Sequence, residues 1–338
     1  MQDTHISLAH GNGGRYMREL IEEIFARHLA NPDLATPELD IQADAVPIEL
    51  NGGDVLFTTD GFTVQPLEFP GGNIGSLAVH GTTNDLAVAG AIPKYLSLNA
   101  FIEEGLEIDT LERIVKTLAE TAAEIGVKVV CGDTKVLRRG EGGGLYLATT
   151  GVGIRQGHVM SMKNIKHGDA IIVSGPVGDH GIAVMLAREE FGLRGDIQSD
   201  AASVLNLTTS AMKHKGLRFM RDPTRGGIAT VCSELYRATS MGVRLVQENL
   251  PVRDPVQSVC DMLGYDPMYL ACEGRVVAVV EPTEAQALLE TWRSLEEGQN
   301  AAIIGHIDSA IPYVLMETDI GGERILEELE DDPLPRIC

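Results

Sequence analysis

The sequence predicts an α+β fold in two domains, and three observations carry that expectation. The chain has 338 residues, more than the roughly 100–200 of an ordinary domain. Short apolar runs of strand character alternate with segments whose apolar residues recur at helical spacing. Across RQGHVMSMKNIKHG (155–168) that patterning weakens. This places a boundary between a first domain, 1–155, and a second of the same style, 156–316, and leaves 317–338 as a flexible tail.

In the first domain an amphipathic helix is expected over 13–30, with Met17, Leu20, Ile21, Ile24 and Phe25 on one face. DVLFTTD (54–60) reads as a strand. PGGNIGSLAVHGTTNDLAVAG (70–90) reads as a Gly-rich helix on which Gly75, Ala78, Thr82, Asp85 and Ala89 share a small-residue face. An extended segment (95–101), a helix (109–125, through Leu111, Ile114, Val115, Leu118 and Ala122) and a short buried strand (127–131) follow. A hairpin tip at 140–144 precedes a strand over 145–154. The second domain is expected to hold strand 170–174, helices 179–190 and 201–213, a turn at 221–227, helix 228–240 and strand 243–248. Helices 255–263 and 283–293 then alternate with strands 275–281 and 301–308.

Charge and cysteine usage exclude several function classes. Twenty-seven basic residues against 49 acidic ones give net −22, which repels nucleic-acid phosphates and anionic lipid. No segment reaches the roughly 20 apolar residues of a membrane helix, and Met1-Gln2-Asp3-Thr4-His5 lacks the pattern of a secretory signal. The expectation is a cytoplasmic protein that binds neither nucleic acid nor membrane. Cys131, Cys232, Cys260, Cys272 and Cys338 are odd in number and never form CxxC, which fits a reducing compartment better than a disulfide scaffold. The first four lie in apolar surroundings and read as inert core residues.

No GxxxxGK[ST] phosphate loop, HExxH or GxSxG occurs, and Gln156 stands where a dinucleotide fingerprint starting at Gly151 needs glycine. What remains is a set of glycine-flanked aspartates. Asp60-Gly61 ends a strand, Asn84-Asp85 sits on the Gly-rich helix, Gly132-Asp133-Thr134-Lys135 follows a strand, and Asp222-Pro223-Thr224-Arg225-Gly226-Gly227 leads into a helix. Carboxylates in such places suit a hydrated magnesium ion and the phosphates it bridges. Backbone N–H groups around Gly11 and Gly13 (HGNGG, 10–14) and at Gly226-Gly227 suit phosphate oxygens. Taken singly, each aspartate reads first as a helix cap or turn residue; their number outlines a nucleotide–metal site.

The tail carries eight carboxylates between 317 and 332 beside one arginine, Arg324, and ends Pro333-Leu334-Pro335-Arg336-Ile337-Cys338. A solvated, frayed terminus is the plain reading. Two prolines that favour an extended path, followed by an apolar residue and a thiol, read instead as a stiffened arm that docks.

The runs TTDGF, GGNIGSLAVHGTTNDLAVAGA, CGDTKV, GPVGDHG and RDPTRGG, with the terminal PRIC, resemble the hydrogenase maturation factor HypE family over residues 10–338. The Asp60, Asp85 and Asp222 environments are shared with the wider superfamily of aminoimidazole ribonucleotide synthetase and selenophosphate synthetase, whereas PRIC is specific to HypE. Asn73, where an acidic residue is usual, and Gly61, where serine is common, depart from the pattern.

The resemblance implies a homodimer of two-domain chains with an aminoimidazole ribonucleotide synthetase-like fold. Each N-terminal domain completes a β-barrel with its partner, and ATP and Mg2+ lie in the cleft between domains. It further implies that the carbamoyltransferase HypF loads a carbamoyl group on Cys338 as a thiocarboxamide. ATP-dependent dehydration then makes a thiocyanate, and the cyano group passes to iron on the HypC–HypD complex for nickel–iron hydrogenase. Asp60, Asp85 and Asp222 become the expected magnesium ligands, with Asn84, Asp133, Thr134, Gly11 and Gly13 as further ATP contacts. Lys135 and Glu273 match residues placed near the modified cysteine, as candidates for the chemistry of amide deprotonation. From the residues alone, Lys135 reads as a phosphate ligand and Glu273 as a surface carboxylate at a helix end. Two other functions fit the same residues: a phosphate-transferring synthetase for a small diffusible substrate, and a non-catalytic thiol or metal chaperone.

Overall fold

The structure, a computed structural model, describes residues 14–26, 45–50, 53–188, 195–329 and 337–338. After the short helix α1 (Arg15–Leu20), the first half consists of β1 (Val46–Leu50), β2 (Gly53–Phe62), α2 (Ile74–Val88), β3 (Ala91–Glu103), α3 (Ile108–Ile125), β4 (Lys128–Leu137) and β5 (Leu145–Arg155). The strands form one sheet in the order β1-β2-β5-β3-β4, antiparallel except where β3 meets β4. Along β5, Leu145, Leu147, Thr149, Gly151 and Gly153 alternate inward against α2. On the opposite face Phe57, Tyr95, Phe101 and Ile154 stay exposed.

The strand expected to be short and buried at 127–131 is ten residues long, and nine of them are exposed. It is the outermost strand and pairs on one side only, so no neighbour hides its apolar residues. Asp133 and Thr134 therefore lie within a strand rather than after one, and Cys131 is exposed rather than a core residue.

The second half adds β6 (Ala170–Val173), α4 (Asp179–Ala187), α5 (Leu205–Ala211), β7 (Leu217–Arg221), α6 (Gly227–Thr239), β8 (Gly242–Val246), α7 (Asp254–Leu263), β9 (Val277–Val280), α8 (Pro282–Arg293), β10 (Ala302–Asp308), β11 (Val314–Glu317) and β12 (Glu323–Ile325). Its seven strands run in the order β12-β11-β8-β10-β6-β9-β7. The central strands AIIV and VAVV are apolar without alternation, because both faces of the sheet are covered. Ile171, Val173, Val277 and Val279 pack with α6; Ala170, Ile172, Ala278 and Val280 pack with Leu207 of α5 and Trp292 of α8. No described helix is long and apolar enough to cross a membrane.

Residues 317–325, read as tail from the sequence, belong to this sheet: β11 and β12 pair antiparallel. Among the described residues, three carboxylates of the acidic run are ion-paired. Arg244 binds Glu317 and Glu323 at 2.9 and 2.8 Å, and Glu328 meets Arg18 and Arg237. The partners lie far away along the chain, where no local pattern displays them.

Helix α2 is the joint between the halves. Thirteen of its 15 residues are buried, as expected of a helix that is apolar or small on every side. A methyl group on Gly75 would stand 2.4 Å from the Ile114 carbonyl oxygen, so only glycine allows α3 this close. Asn73 caps the helix: its Oδ1 accepts the Gly75 and Ser76 N–H groups, and Ser76 Oγ accepts the Asn73 N–H. Ile74, Leu77 and Ala78 of α2 share one apolar cluster with Ile182 of α4, Val256 of α7 and Leu270.

Candidate active site

Strand β2 lies along α2, so that Asp60 faces Gly81 and Thr58 faces Asp85. Asp60 Oδ1 accepts the Gly61 N–H at 2.7 Å, and its Oδ2 lies 3.6 Å from the place of a Cβ on Gly81. Asp85 Oδ2 accepts the Thr58 hydroxyl at 2.9 Å. Thr58 and Asp60 are two residues apart on one strand and share a face, and Gly81 and Asp85 are one turn apart on the helix. Both carboxylates thus line one seam.

Asp222 comes from the other half, at the end of β7, and is buried. The turn that follows holds Gly226 and Gly227 at φ +73° and +57°, the left-handed region open to glycine at least cost. A Cβ on Gly227 would stand 2.6 Å from the carbonyl oxygens of Met268 and Leu270. This close approach, with the Cys272 N–H donating to Pro223 O at 3.0 Å, sets the Asp222 turn against the segment carrying Glu273. Glu273 is 2% exposed and is therefore no surface carboxylate. Its N–H donates to Asp200 Oδ1 at 3.1 Å, its carbonyl accepts Asn84 Nδ2 at 3.1 Å, and its Oε1 has no hydrogen-bond partner among the described residues.

These carboxylates feel one another. Burial first, then the charges of Asp222, Asp200 and Asp60, push the Glu273 carboxyl well above its usual range, with Arg225 opposing. Burial raises Asp60 against the pull of Arg225. Burial likewise raises Asp222 to about 6, Arg221 opposing and Asp60 and Glu234 adding to the shift. A raised carboxyl binds its proton more tightly in the folded than in the unfolded chain, so the ionised group costs stability as pH rises through that window. Native protein free of ligands is expected to lose stability between the ordinary value of 3.8 and about 6. Asp222→Asn should remove most of Asp222's share, on the order of 2 kcal/mol at neutral pH. Urea unfolding from about pH 4 to 8 checks this; equal slopes for the two proteins would refute it.

The oxygen donors present fit a magnesium ion. Among the described residues no three His, Cys, Asp or Glu side chains form a ready-made cage. Magnesium does not require one, since it keeps several waters and takes one or two carboxylates plus phosphates. Asp60 raises the cost of ionising Asp222, and the Glu273 Oε1, without a hydrogen-bond partner among the described residues, adds acceptor capacity nearby.

Other residues expected at the site lie elsewhere or act otherwise. Asn84 uses its amide to clamp the halves together: Nδ2 donates to Ala202 O and Glu273 O, and Oδ1 accepts the Val204 N–H at 3.0 Å. Both ends of the amide are therefore engaged within the chain. Asp133 and Lys135 pair with each other at 2.8 Å, both more than half exposed on β4, apart from the buried carboxylates of the same chain. Thr134 is also on that exposed strand. Gly11 and Gly13 lie outside the described residues. Sequence reasoning missed Asp200 and Thr63, which sit in no recognisable motif, and gave no role to Arg225, although RDPTRGG was singled out.

The end of the chain reaches the same joint. Ile337 is 1% exposed within the cluster that links the halves, and half-buried Cys338 packs against it. The main-chain oxygen of Cys338 accepts the Thr63 N–H at 3.1 Å and the Thr63 hydroxyl at 3.2 Å. Thr63 follows directly on β2, three residues beyond Asp60.

The AIR synthase related protein family matches this chain through its N-terminal domain at residues 42–155 and its C-terminal domain at 166–311. The carbamoyl dehydratase HypE of Azotobacter vinelandii is 43% identical over 341 residues, covering 100% of this chain and 98% of that protein. A structure of a HypE–HypF complex superposes with TM-score 0.84 at 42% identity, covering 92% of this chain and 99% of its counterpart. A HypE structure in complex with ATP gives TM-score 0.81 at 39% identity, covering 99% and 100%.

Proposed function

The chain belongs to the HypE family of carbamoyl dehydratases, and from that membership we propose how its own residues perform the reaction. It is an ATP-dependent enzyme that dehydrates a carbamoyl group carried as a thiocarboxamide on Cys338, yielding the thiocyanate that donates the cyano ligand for the iron of nickel–iron hydrogenase. The observation that carries this reading is the seat of Cys338 against Thr63, in the joint where Asp60 and the buried carboxylates meet.

Dehydrating an amide means removing its oxygen and both N–H protons. ATP, with magnesium, supplies the phosphoryl group that makes the amide oxygen a leaving group. Asp60, Asp85 and Asp222 are the residues that hold magnesium and ATP. Glu273 accepts an amide proton: it is buried, its Oε1 is free of hydrogen bonds among the described residues, and burial keeps it a far stronger base than an exposed glutamate. Arg225 favours its ionised form. Enclosure of Ile337 and half-burial of Cys338 shield the reacting carbon from water, which would otherwise hydrolyse the activated amide.

HypF is the partner that loads Cys338, in keeping with the HypE–HypF complex of its relative. The HypC–HypD complex is the acceptor. Two copies form a homodimer through the uncovered face and free edge of the first sheet, where Phe57, Tyr95 and Phe101 are exposed and β4 has an open side. Lys135 and Asp133 then lie at the subunit boundary and act there. The cytoplasm is the compartment, in keeping with five cysteines that form no disulfide.

Asp85→Asn is the direct test of the cation site. It should weaken ATP binding in the presence of magnesium by roughly tenfold or more, and stop dehydration while HypF still loads Cys338. Calorimetric titration with and without magnesium, followed by the mass of the Cys338 peptide, reads both. Unchanged affinity and turnover would reduce Asp85 to a packing residue held by Thr58.

A further inference from the structure

GPVGDHG (175–181) took part in the family resemblance with no role attached, and the structure assigns its histidine one. His180, at the second position of α4, is fully buried. Its Nε2 lies 2.8 Å from the main-chain oxygen of Ile337. A carbonyl only accepts, so Nε2 carries the proton and Nδ1 is an acceptor. Ser199 Oγ, 2.7 Å from Nδ1, donates to it and itself accepts the Ala201 N–H at 3.0 Å. The Phe69 ring meets the imidazole edge-on, centroids 5.5 Å apart at 89°, which fixes the ring plane. Burial lowers the imidazole's proton affinity, so the neutral ring with Nε2–H is the resting form. A local chain of donors, Ala201 to Ser199 to His180, thus delivers one N–H to the end of the protein.

We propose that His180 is a positioning residue for the dehydration: its Nε2–H holds the Ile337 carbonyl and thereby seats Cys338 in the cleft. Three points of the seat lie among the described residues. Thr63, from the first half, holds the Cys338 main-chain oxygen; His180, from the second half, holds the preceding one; and the Ile337 side chain is buried between the halves. Two consecutive main-chain oxygens gripped from opposite sides leave the Cys338 side chain few places to point. These three are main-chain hydrogen bonds and apolar burial, independent of what the thiol carries, so they can hold loaded and unloaded tails alike.

The proposal rests on the reading that Cys338 carries the carbamoyl group, so the first readout is one that does not need it. Iodoacetamide alkylation of Cys338 in the full, unloaded chain, followed by the mass of its peptide, reports how often the tail is unseated; exposed Cys131 reacts on a separate peptide. His180→Asn places its amide near the Nδ1 position, within reach of Ser199 but short of Ile337. His180→Gln places its amide near Nε2 and keeps a donor for the tail. Alkylation should rise roughly fivefold to tenfold in His180→Asn, as loss of one hydrogen bond commands, and return most of the way in His180→Gln. Ser199→Ala, which removes the donor that sets the tautomer, should raise it severalfold with the melting temperature unchanged. Single-turnover dehydration should fall in the same order while loading by HypF stays at the parental rate. Parental alkylation in both His180→Asn and Ser199→Ala overturns the seat, as does an equal rise in the two His180 variants. Alkylation that follows the prediction with dehydration unaffected overturns its part in the chemistry. Failure of the parental chain to load or dehydrate counts against the function and leaves the seat standing.

Discussion

Cys338→Ala is expected to yield no carbamoylated chain and no cyano transfer, while unfolding temperature and ATP affinity should stay at parental values. The thiol is the acceptor atom, so its removal is a complete loss rather than a rate change. Three of the other four cysteines cannot substitute. Cys232, Cys260 and Cys272 are buried, and burial pushes the first two thiols up to about 12 and the third well above its usual value, which removes the thiolate that would attack. Cys131 is exposed but sits on the outer strand of the first sheet. The fold should tolerate the change, because among the described residues the Ile337 side chain and two main-chain oxygens hold the segment. The mass of the Cys338 peptide after incubation with HypF, carbamoyl phosphate and ATP decides the matter. A cyano group on the acceptor from Cys338→Ala protein would refute the assignment.

Glu273→Gln is expected to stop the reaction one step later, leaving the thiocarboxamide on Cys338 in the presence of ATP. Glutamine keeps the shape and the main-chain bonds to Asp200 and Asn84 but cannot take a proton. Loss of a general base costs roughly a hundredfold to ten-thousandfold in rate. The same substitution should stabilise the protein. Burial and three neighbouring carboxylates hold the Glu273 carboxyl far above its ordinary value, so the ionised form is costly in the folded state and the cost grows with pH. A higher melting temperature together with blocked turnover is the signature of strain stored in a working site. Dehydration at the parental rate would pass the role of base to another group.

How much of this was readable beforehand depended on whether a residue's partners were local. The apolar runs AIIV and VAVV announce fully buried strands, and the α2 run announces a buried helix, because burial on all sides is written into composition. Asp60, Asp85 and Asp222 are flagged by glycines that permit close approach. Glu273 read as a surface residue because its burial is imposed by Asn84, Asp200 and the Asp222 turn, all distant in the chain. Asp200 and His180 became visible only when the two halves came together. Asn84 shows the reverse: it sits beside Asp85, but successive helical residues point about 100° apart, and its amide faces the other half. The exposure of β4 is not legible because an apolar strand reads the same whether or not a neighbouring element covers it.

The seating of Cys338 by its own chain has a kinetic consequence. A diffusible amide would have to be captured from solution, and its conversion would slow with dilution. Here the reacting group and the residues that act on it share one covalent molecule, so their encounter is unimolecular, with the entropic cost of bringing them together already met when the chain folds and the tail settles. The dehydration therefore has no Michaelis constant for the carbamoyl group. Within the assembled dimer its first-order rate should be the same in a cell holding few copies of the protein as in a concentrated solution, so that scarcity limits assembly and the two hand-overs, to and from other proteins, at either end of the cycle.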